Sequence, residues 1–386
     1  MITCKRARFS LPRNAPYLNC AYMSPLLKDA ERVGIREIRK KRNPASIRPN
    51  DFFDNVEQLR KSFAALVQIN DPQRVVTIPS TAYALANVAN NITLRRGDNI
   101  VLVSDEFPSN YYCWAAAAER NGATIVTVAP SEQLEGRGRI WNTRLLEAIT
   151  ANTKAVALGQ VHWADGTLFD LAAVRRRATE VGAVLIVDGT QSVGAMPFDV
   201  SALQPDVLVC AAYKWLLGPY SIGLAYYGPQ FDQGRPIEEH WMNRLHSEDF
   251  SQLVNYQDRY RPGALRYEVG EHSNFIHVAM LQTSINQLLR WGTANIQEYC
   301  ESITAAPVNE LRELGYRIGD DATRAAHLFG IRFDAEQEDK LRKSLSEHRI
   351  SVSIRGNSIR ISPNIYNTPQ EMARLVKALK HARTKK

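Results

Sequence analysis

Hydrophobic and polar positions change rhythm twice along the chain, and those changes outline its elements. After an irregular arm through Pro25, apolar residues recur at helical spacing over about 28 to 42 and 54 to 68. Short apolar runs then alternate with helical stretches: VVTI at 75–78, NIVLV at 99–103, ATIVTV at 123–128, KAVAL at 154–158, AVLIVD at 183–188 and DVLVCA at 206–211. Runs this uniformly apolar, separated by helix-length segments, predict a parallel sheet covered on both faces. Past residue 265 the texture shifts to long helical stretches (277–291 and 294–314), two short strand pairs within 327–333, 350–355 and 358–362, and a last helix from about 368. The pattern predicts an α/β protein with three parts: an N-terminal arm (1–27), a large doubly wound, mostly parallel domain (28–265) and a smaller C-terminal α+β domain (266–386). Only the Pro-Gly turn in RYRPGALRY marks the second boundary.

Composition narrows the class. With 386 residues, 45% hydrophobic and 23% charged, the chain can bury a sizeable core and is unlike disordered or collagen-like sequences. No apolar run approaches the roughly 20 residues of a membrane-spanning helix. The start, MITCKRARFSLPRN, is basic without a following apolar stretch, so no secretory signal and a cytoplasmic location are expected. Five cysteines, at 4, 20, 113, 210 and 300, are too few and too scattered for a disulfide framework or a CxxC metal site, and read as reduced thiols. Net charge is +8, which raises nucleic acid as a partner. The cations gather at Arg32, Arg36, Arg39, Lys40, Lys41 and Arg42, at Arg175 to Arg177, and in the tail HARTKK. No aromatic residues interleave with them as base-stacking platforms would require, so solvated helix faces are expected and a nucleic-acid-binding protein is the alternative class.

Ligands of an open parallel sheet bind beyond the carboxyl ends of its strands. AVLIVD ends in Asp188, a carboxylate that is costly in such a place without a positive partner. DVLVCAAYK ends in Lys214, one crossover further on. The two either share a crevice or simply form an ion pair. Other templates are missing: no GxxxxGK[ST], HExxH or GxSxG occurs, and His272 with His277 is a weak metal pair that reads as structural. No metal is expected.

The stretch DVLVCAAYKWLLGPYSIG resembles the lysine segment of the class V aminotransferases, pyridoxal-phosphate enzymes of fold type I that include cysteine desulfurases, kynureninases and isopenicillin N epimerase. The resemblance runs from YLNCAYMSPL to IRISPNIYNTPQE, with Tyr213 in place of the frequent His and Ser221 where Gly is usual. It implies pyridoxal 5'-phosphate as cofactor, bonded to Lys214, which then serves as the proton carrier at the substrate Cα. Asp188 would pair with the ring nitrogen and Gln191 would donate to the ring 3-oxygen. Ser80, Thr81 and Ala82, at a helix N-terminus, would bind the phosphate, with Tyr213 as a further donor; a plain Ser/Thr N-cap is the other reading of that segment. Phe107 stands where relatives stack an aromatic or a histidine on the ring. Trp163 occupies a loop whose Asn in desulfurases touches the ring oxygen; a core aromatic is the alternative for both. Arg360 would grip the substrate α-carboxylate, with Arg355 as second candidate. Dimerisation is implied as well, with RYEVGEHSNF completing the partner's phosphate site. Glu271 is ill suited to a phosphate, so Ser273 or Asn274 would substitute, and Trp241 lies near a second-subunit tryptophan of kynureninases.

The family's persulfide-forming members carry a nucleophilic cysteine near the carboxylate-binding arginine, and this chain has none after Cys300. Cysteine desulfuration is therefore not expected. Transamination of an amino acid is the expected reaction, with β-lyase chemistry of kynureninase or C–S lyase type, or epimerisation, as alternatives.

Overall fold

The computed structural model describes residues 2–133 and 135–384, so Lys385 and Lys386 of the basic tail lie outside the described residues. Helices α1 (Lys28–Lys40) and α2 (Asp54–Leu66) lead into β1 (Val75–Ile78), α3 (Thr81–Asn90), β2 (Asn99–Val103), α4 (Ser109–Asn121) and β3 (Thr124–Val128). There follow α5 (Arg137–Ala148), β4 (Thr153–Gly159), α6 (Leu171–Val181), β5 (Val184–Asp188), α7 (Val200–Leu203), β6 (Val207–Ala211) and β7 (Gly223–Tyr227). The seven strands form one sheet in the order β1-β7-β6-β5-β4-β2-β3. β2 to β6 pair in parallel, and β7 runs antiparallel to both β6 and β1.

All six expected strands form. β7 is an addition to them: GLAYY lies between Gly218-Pro219 and Gly228-Pro229, and five residues between two turn signals are too short for a period to stand out. Successive residues of the central strands feed different cores. Val101, Val103, Val156, Leu158, Leu185 and Val187 pack on one face, and Ile100, Leu102, Ala155, Ala157 and Ile186 on the other. That two-residue alternation within wholly apolar strands is the physical content of a doubly covered sheet. Side-chain caps set the helix starts: Ser80 Oγ accepts the Tyr83 N–H at the head of α3, and Asp170 accepts the Ala173 N–H at the head of α6.

The C-terminal part holds α8 (Phe275–Trp291), α9 (Thr293–Glu313), β8 (Phe329–Arg332), α10 (Glu338–Glu347), β9 (Ser353–Arg355), β10 (Ser358–Ile361) and α11 (Pro369–Thr384). Its strands make a single antiparallel sheet, β8-β10-β9, in place of the expected two pairs, because β10 bonds on both edges. α8 packs against α1 and α2. The arm joins the small sheet: Tyr17 bridges Ser351, Asn19 bridges Ser362, and Arg6 pairs with Glu371 at 2.7 Å.

Candidate active site

The segments that follow β1, β2, β4, β5 and β6 converge on one cleft, at the carboxyl ends of the strands where an open α/β sheet places its ligands. Thr81, Glu106, Phe107, His162, Trp163, Asp188, Thr190, Gln191, Tyr213 and Lys214 line it. Seven of the residues expected from sequence meet here, from five separate segments of chain.

Asp188 ends β5 on the cleft floor. Its Oδ1 accepts the Thr190 N–H at 2.9 Å, and the Thr190 hydroxyl in turn accepts the Ala211 N–H at 3.0 Å, tying β5 to β6. Burial raises the carboxyl above its usual range, against the pull of Thr190 and Lys214. Asp188 and Lys214 do not form a direct ion pair, so the simple pairing of two strand-end charges gives way to a carboxylate that waits for another cation. Lys214 is buried, with Nζ 5.2 Å from the Phe107 ring centroid and 5.4 Å from that of Tyr213. Burial pulls the amine down to about 8; Asp188 opposes this while Arg360 and Arg355 add to it.

Arg360, on the central strand β10 of the small sheet, stands behind Trp163 beside the cleft, close enough to act electrostatically on Lys214. It is 1% exposed, donates from Nη1 to the Trp163 carbonyl at 2.9 Å, and has no acidic partner; its Nε has no hydrogen-bond partner. Burial brings the guanidinium down to about 9, with Arg355 adding to the effect. Arg355 borders a neighbouring cavity, and both guanidinium carbons lie 5.8 Å from the Trp163 ring centroid. Phe107 meets Trp163 edge to face, centroids 5.5 Å apart.

Other expected residues stand differently. Ser80 caps α3, as the plain N-cap reading has it, so its hydroxyl already accepts the Tyr83 N–H at 3.2 Å; Ala82 is exposed on the first turn. Gln191 lines the cleft, but its Oε1 accepts the Trp215 indole N–H at 2.9 Å and its Nε2 donates to the Ala21 carbonyl at 3.2 Å, leaving one N–H for a ligand. Trp241 packs on Phe53 and Phe250 and Asn274 caps α8 by accepting the His277 N–H, both away from this chain's own cleft. Glu271 is exposed in the left-handed region at φ 56°. His272 donates from Nε2 to the Phe52 carbonyl at 3.1 Å, and among the described residues no group of three or more His, Cys, Asp or Glu stands close enough to hold a metal.

Sequence reasoning missed Glu106, His162 and Thr190. Glu106 Oε1 accepts the Phe107 N–H at 2.7 Å, Oε2 has no partner, and burial raises the carboxyl to about 7. His162 is buried with its two ring nitrogens 3.2 Å from Asp165 and 3.2 Å from the Ser104 carbonyl, both pure acceptors, so it must carry both protons. Burial opposes that charge most, but Asp165, Glu106 and the Ser104 carbonyl together outweigh it, and Asp165 is itself held well below the carboxylate range although burial acts to raise it. The acid beside Phe107 and the HW pair at a strand end were the signals available in the sequence.

The donor set fits pyridoxal 5'-phosphate. It offers an amine with lowered proton affinity, a floor carboxylate without a cation, a buried guanidinium without an anion, and N–H groups at the head of a ten-residue helix with buried Thr81.

The family description "Aminotransferase class-V" matches residues 42–375. The "uncharacterized aminotransferase YcbU" of Bacillus subtilis (strain 168) is 26% identical over 83% of this chain and 82% of that protein. A cysteine desulfurase of Enterobacter sp. (strain 638) is 27% identical over 72% of this chain and 67% of that protein. Among solved structures, the cysteine desulfurase CsdA of Escherichia coli has a TM-score of 0.82 at 21% identity, covering 98% of this chain and 97% of that one. The cystine C–S lyase C-DES, solved with its product cysteine persulfide, has a TM-score of 0.84 at 21% identity over 95% and 98% of the two chains.

Proposed function

The chain belongs to the class V aminotransferase family, and from that premise we propose that it is an aminotransferase working at the Cα of an amino-acid substrate. Its cofactor is pyridoxal 5'-phosphate. The observation that carries the reading is the pairing of Lys214, brought down to about 8, with Arg360, a buried guanidinium that has no anion in the folded chain.

When bound, the cofactor supplies a protonated ring that accepts the electrons left at Cα. Asp188, uncommitted to any cation, would hold that ring nitrogen protonated. Lys214 would anchor the cofactor, Phe107 would cover the ring, Trp163 would border it, and the spare N–H of Gln191 would face its oxygen. The N-terminus of α3 (Ser80, Thr81, Ala82) and the Tyr213 hydroxyl would hold the phosphate, with Asn274 and Trp241 completing the site of a second subunit in a homodimer. Arg360 binds the substrate carboxylate in a planar two-point contact, which orients the Cα–H bond. Lys214, neutral in part near pH 8, takes the proton from Cα and returns it.

A persulfide route finds little support in the thiols. Cys20 sits nearest to Lys214, its Sγ 4.0 Å from the lysine carbonyl, but it is fully buried and burial raises it to about 11. Cys210 and Cys300 are buried too, and Cys113 is raised by burial to about 12. The basic helix α1 is partly neutralised, since Arg36 and Lys40 pair with Glu37 and Arg32 with Asp29, which supports a solvated face over a nucleic-acid surface. No helix is long and apolar enough to cross a membrane among the described residues, and the reading places the enzyme in the cytoplasm.

Glu106 favours a second reading, a β-lyase. An acid raised to about 7, with Oε2 unpartnered in the cleft, is suited to protonate a leaving group. An amino-acid panel assayed with and without 2-oxo acids separates the two. Product that requires the acceptor supports transamination. Pyruvate, alanine or sulfide released without an acceptor overturns it in favour of the lyase, and α-proton exchange with neither product overturns both in favour of epimerisation.

A further inference from the structure

The small sheet gathers more positive charge around Trp163 than one α-carboxylate can use. In the register of the hairpin, Arg360 stands opposite Ser353 and Ser358 opposite Arg355. Partners across strands share a face, and so do residues two apart on one strand, so Arg355, Ser358 and Arg360 all lie on the face turned to Trp163. β8 adds Arg332, opposite Ser358.

The acids nearby do not balance this face. Asp165 is already engaged by His162 at 3.2 Å, Arg332 at 3.4 Å and Arg137 at 3.9 Å. Asp105 is exposed at the cavity edge, where its carbonyl accepts the Trp163 indole N–H at 2.5 Å. Arg332 is therefore compensated, while Arg360 and Arg355 are not: neither forms an ion pair, and Arg355 donates only to the Ile354 carbonyl at 2.9 Å. Between them the buried Ser358 hydroxyl has no hydrogen-bond partner. Beside them opens a cavity of about 240 Å³ lined by Arg355, Ser358, Arg137, Arg332, His162 and Trp163, the last two of which also line the cleft.

We propose that Arg355, with Ser358, forms a second anion subsite, and that the substrate is an amino acid whose side chain ends in an acidic group. Arg360 takes the α-carboxylate and Arg355 takes the distal one, with Trp163 as the spacer between them. A neutral side chain of the same length leaves Arg355 unpaired and loses the charge-assisted contact. This rests on the site being the amino-acid site proposed above, and it adds the substrate class.

The test has two arms on the cofactor-loaded protein. In the first, steady-state kinetics compare aspartate and glutamate with asparagine and glutamine as amino donors. The native protein is expected to favour the acids by about 10- to 100-fold in kcat/KM, and Arg355→Met to erase that preference, the larger loss falling on the KM of the acids. Equal losses for acids and amides in Arg355→Met overturn the proposal, because Arg355 would then be serving the α-carboxylate or merely holding Trp163. In the second, calorimetric titration compares glutarate with butyrate. Glutarate is expected to bind at least about tenfold tighter, with the preference lost in Arg355→Met and retained in part in Arg355→Lys. No preference in the native protein, or one that survives Arg355→Met, overturns it. The second arm needs no turnover, so a failure of transamination in the first leaves this subsite tested on its own.

Discussion

Replacing Arg360 by methionine is expected to make the protein more stable and nearly useless. The guanidinium is 1% exposed, has no acid beside it, keeps one hydrogen bond to the Trp163 carbonyl and leaves Nε unpartnered. Burial chiefly brings its pKa down from the ordinary guanidinium value to about 9. At about 1.4 kcal/mol per unit, that gap bounds the folded-state penalty on the charge at about 5 kcal/mol. The loss of a hydrogen bond worth about 1 kcal/mol and imperfect packing of the new side chain offset part of it, leaving a gain of about 1–4 kcal/mol. Arginine is charged in both folded and unfolded chains below about pH 9, so a comparison at pH 7 captures the whole penalty, which fades only as pH rises through that value. Denaturant titration of both cofactor-loaded proteins without substrate measures the gain, and initial-rate kinetics should show KM raised by about 100-fold or more. A less stable variant would refute the argument, since it would mean that the folded chain already compensates this charge. An unchanged KM would refute the assignment of the carboxylate to Arg360.

Four further outcomes follow from the same geometry. Lys214→Ala should lose the visible absorption of the bound cofactor and turnover together, and a variant that retains turnover would remove Lys214 from the proton path. Glu106→Gln should match the native protein's stability near pH 4.5 and exceed it increasingly up to about pH 7, by at most about 3 kcal/mol, because a carboxyl raised from 4.5 to about 7 loses its stabilising proton across that window; parallel stability curves would count against it. Glu268→Gln should cost about 2–4 kcal/mol in denaturant titration, because it leaves the buried Arg60 with only the half-buried Glu57, 3.3 Å away; Glu268 also accepts the Thr77 N–H at 2.6 Å. Ser221→Gly should stabilise by about 1 kcal/mol, since Ser221 lies in the left-handed region at φ 63°, and no gain would show that the loop does not pay for that conformation.

Much of the large sheet was legible because its strands are apolar throughout, and such runs announce themselves without any knowledge of their neighbours. β7 was not, because its partner β1 lies far away in sequence and its five residues sit between two Gly-Pro turns. Asp188 and Lys214 were legible for the opposite reason: each is a charge that ends an apolar run, a place where only a ligand or a partner makes sense. Glu106 and His162 follow strand ends through loops, where charged residues are ordinary, and only the fold shows that Glu106 Oε2 lacks a partner and that His162 is enclosed by two acceptors. Arg355 was read as a second candidate for that carboxylate because it lies close to Arg360 in sequence. The register adds that Arg355, Ser358 and Arg360 share one face of the small sheet.

The lysine loop carries its own signature of function. Leu217 at φ 56° and Ser221 at φ 63° bracket the turn that returns β6 to β7, and neither is a residue that favours that region. Backbone in such a state persists only where surrounding contacts over-determine it. Here they do: the Gly218 N–H donates to the Ala212 carbonyl at 2.9 Å, the Ser284 hydroxyl of α8 donates to the Leu217 carbonyl at 2.8 Å, and Ser24 of the arm donates its N–H to the Tyr213 carbonyl at 2.9 Å. The arm, the β6–β7 turn and α8 thus hold Lys214 from three directions. A lysine free to swing into solvent would regain its full proton affinity and give up its proton far less readily. Held beneath Phe107 and facing Arg360, it is kept at about 8, where it can both take and return a proton. The strain in the turn is the structural cost of that placement.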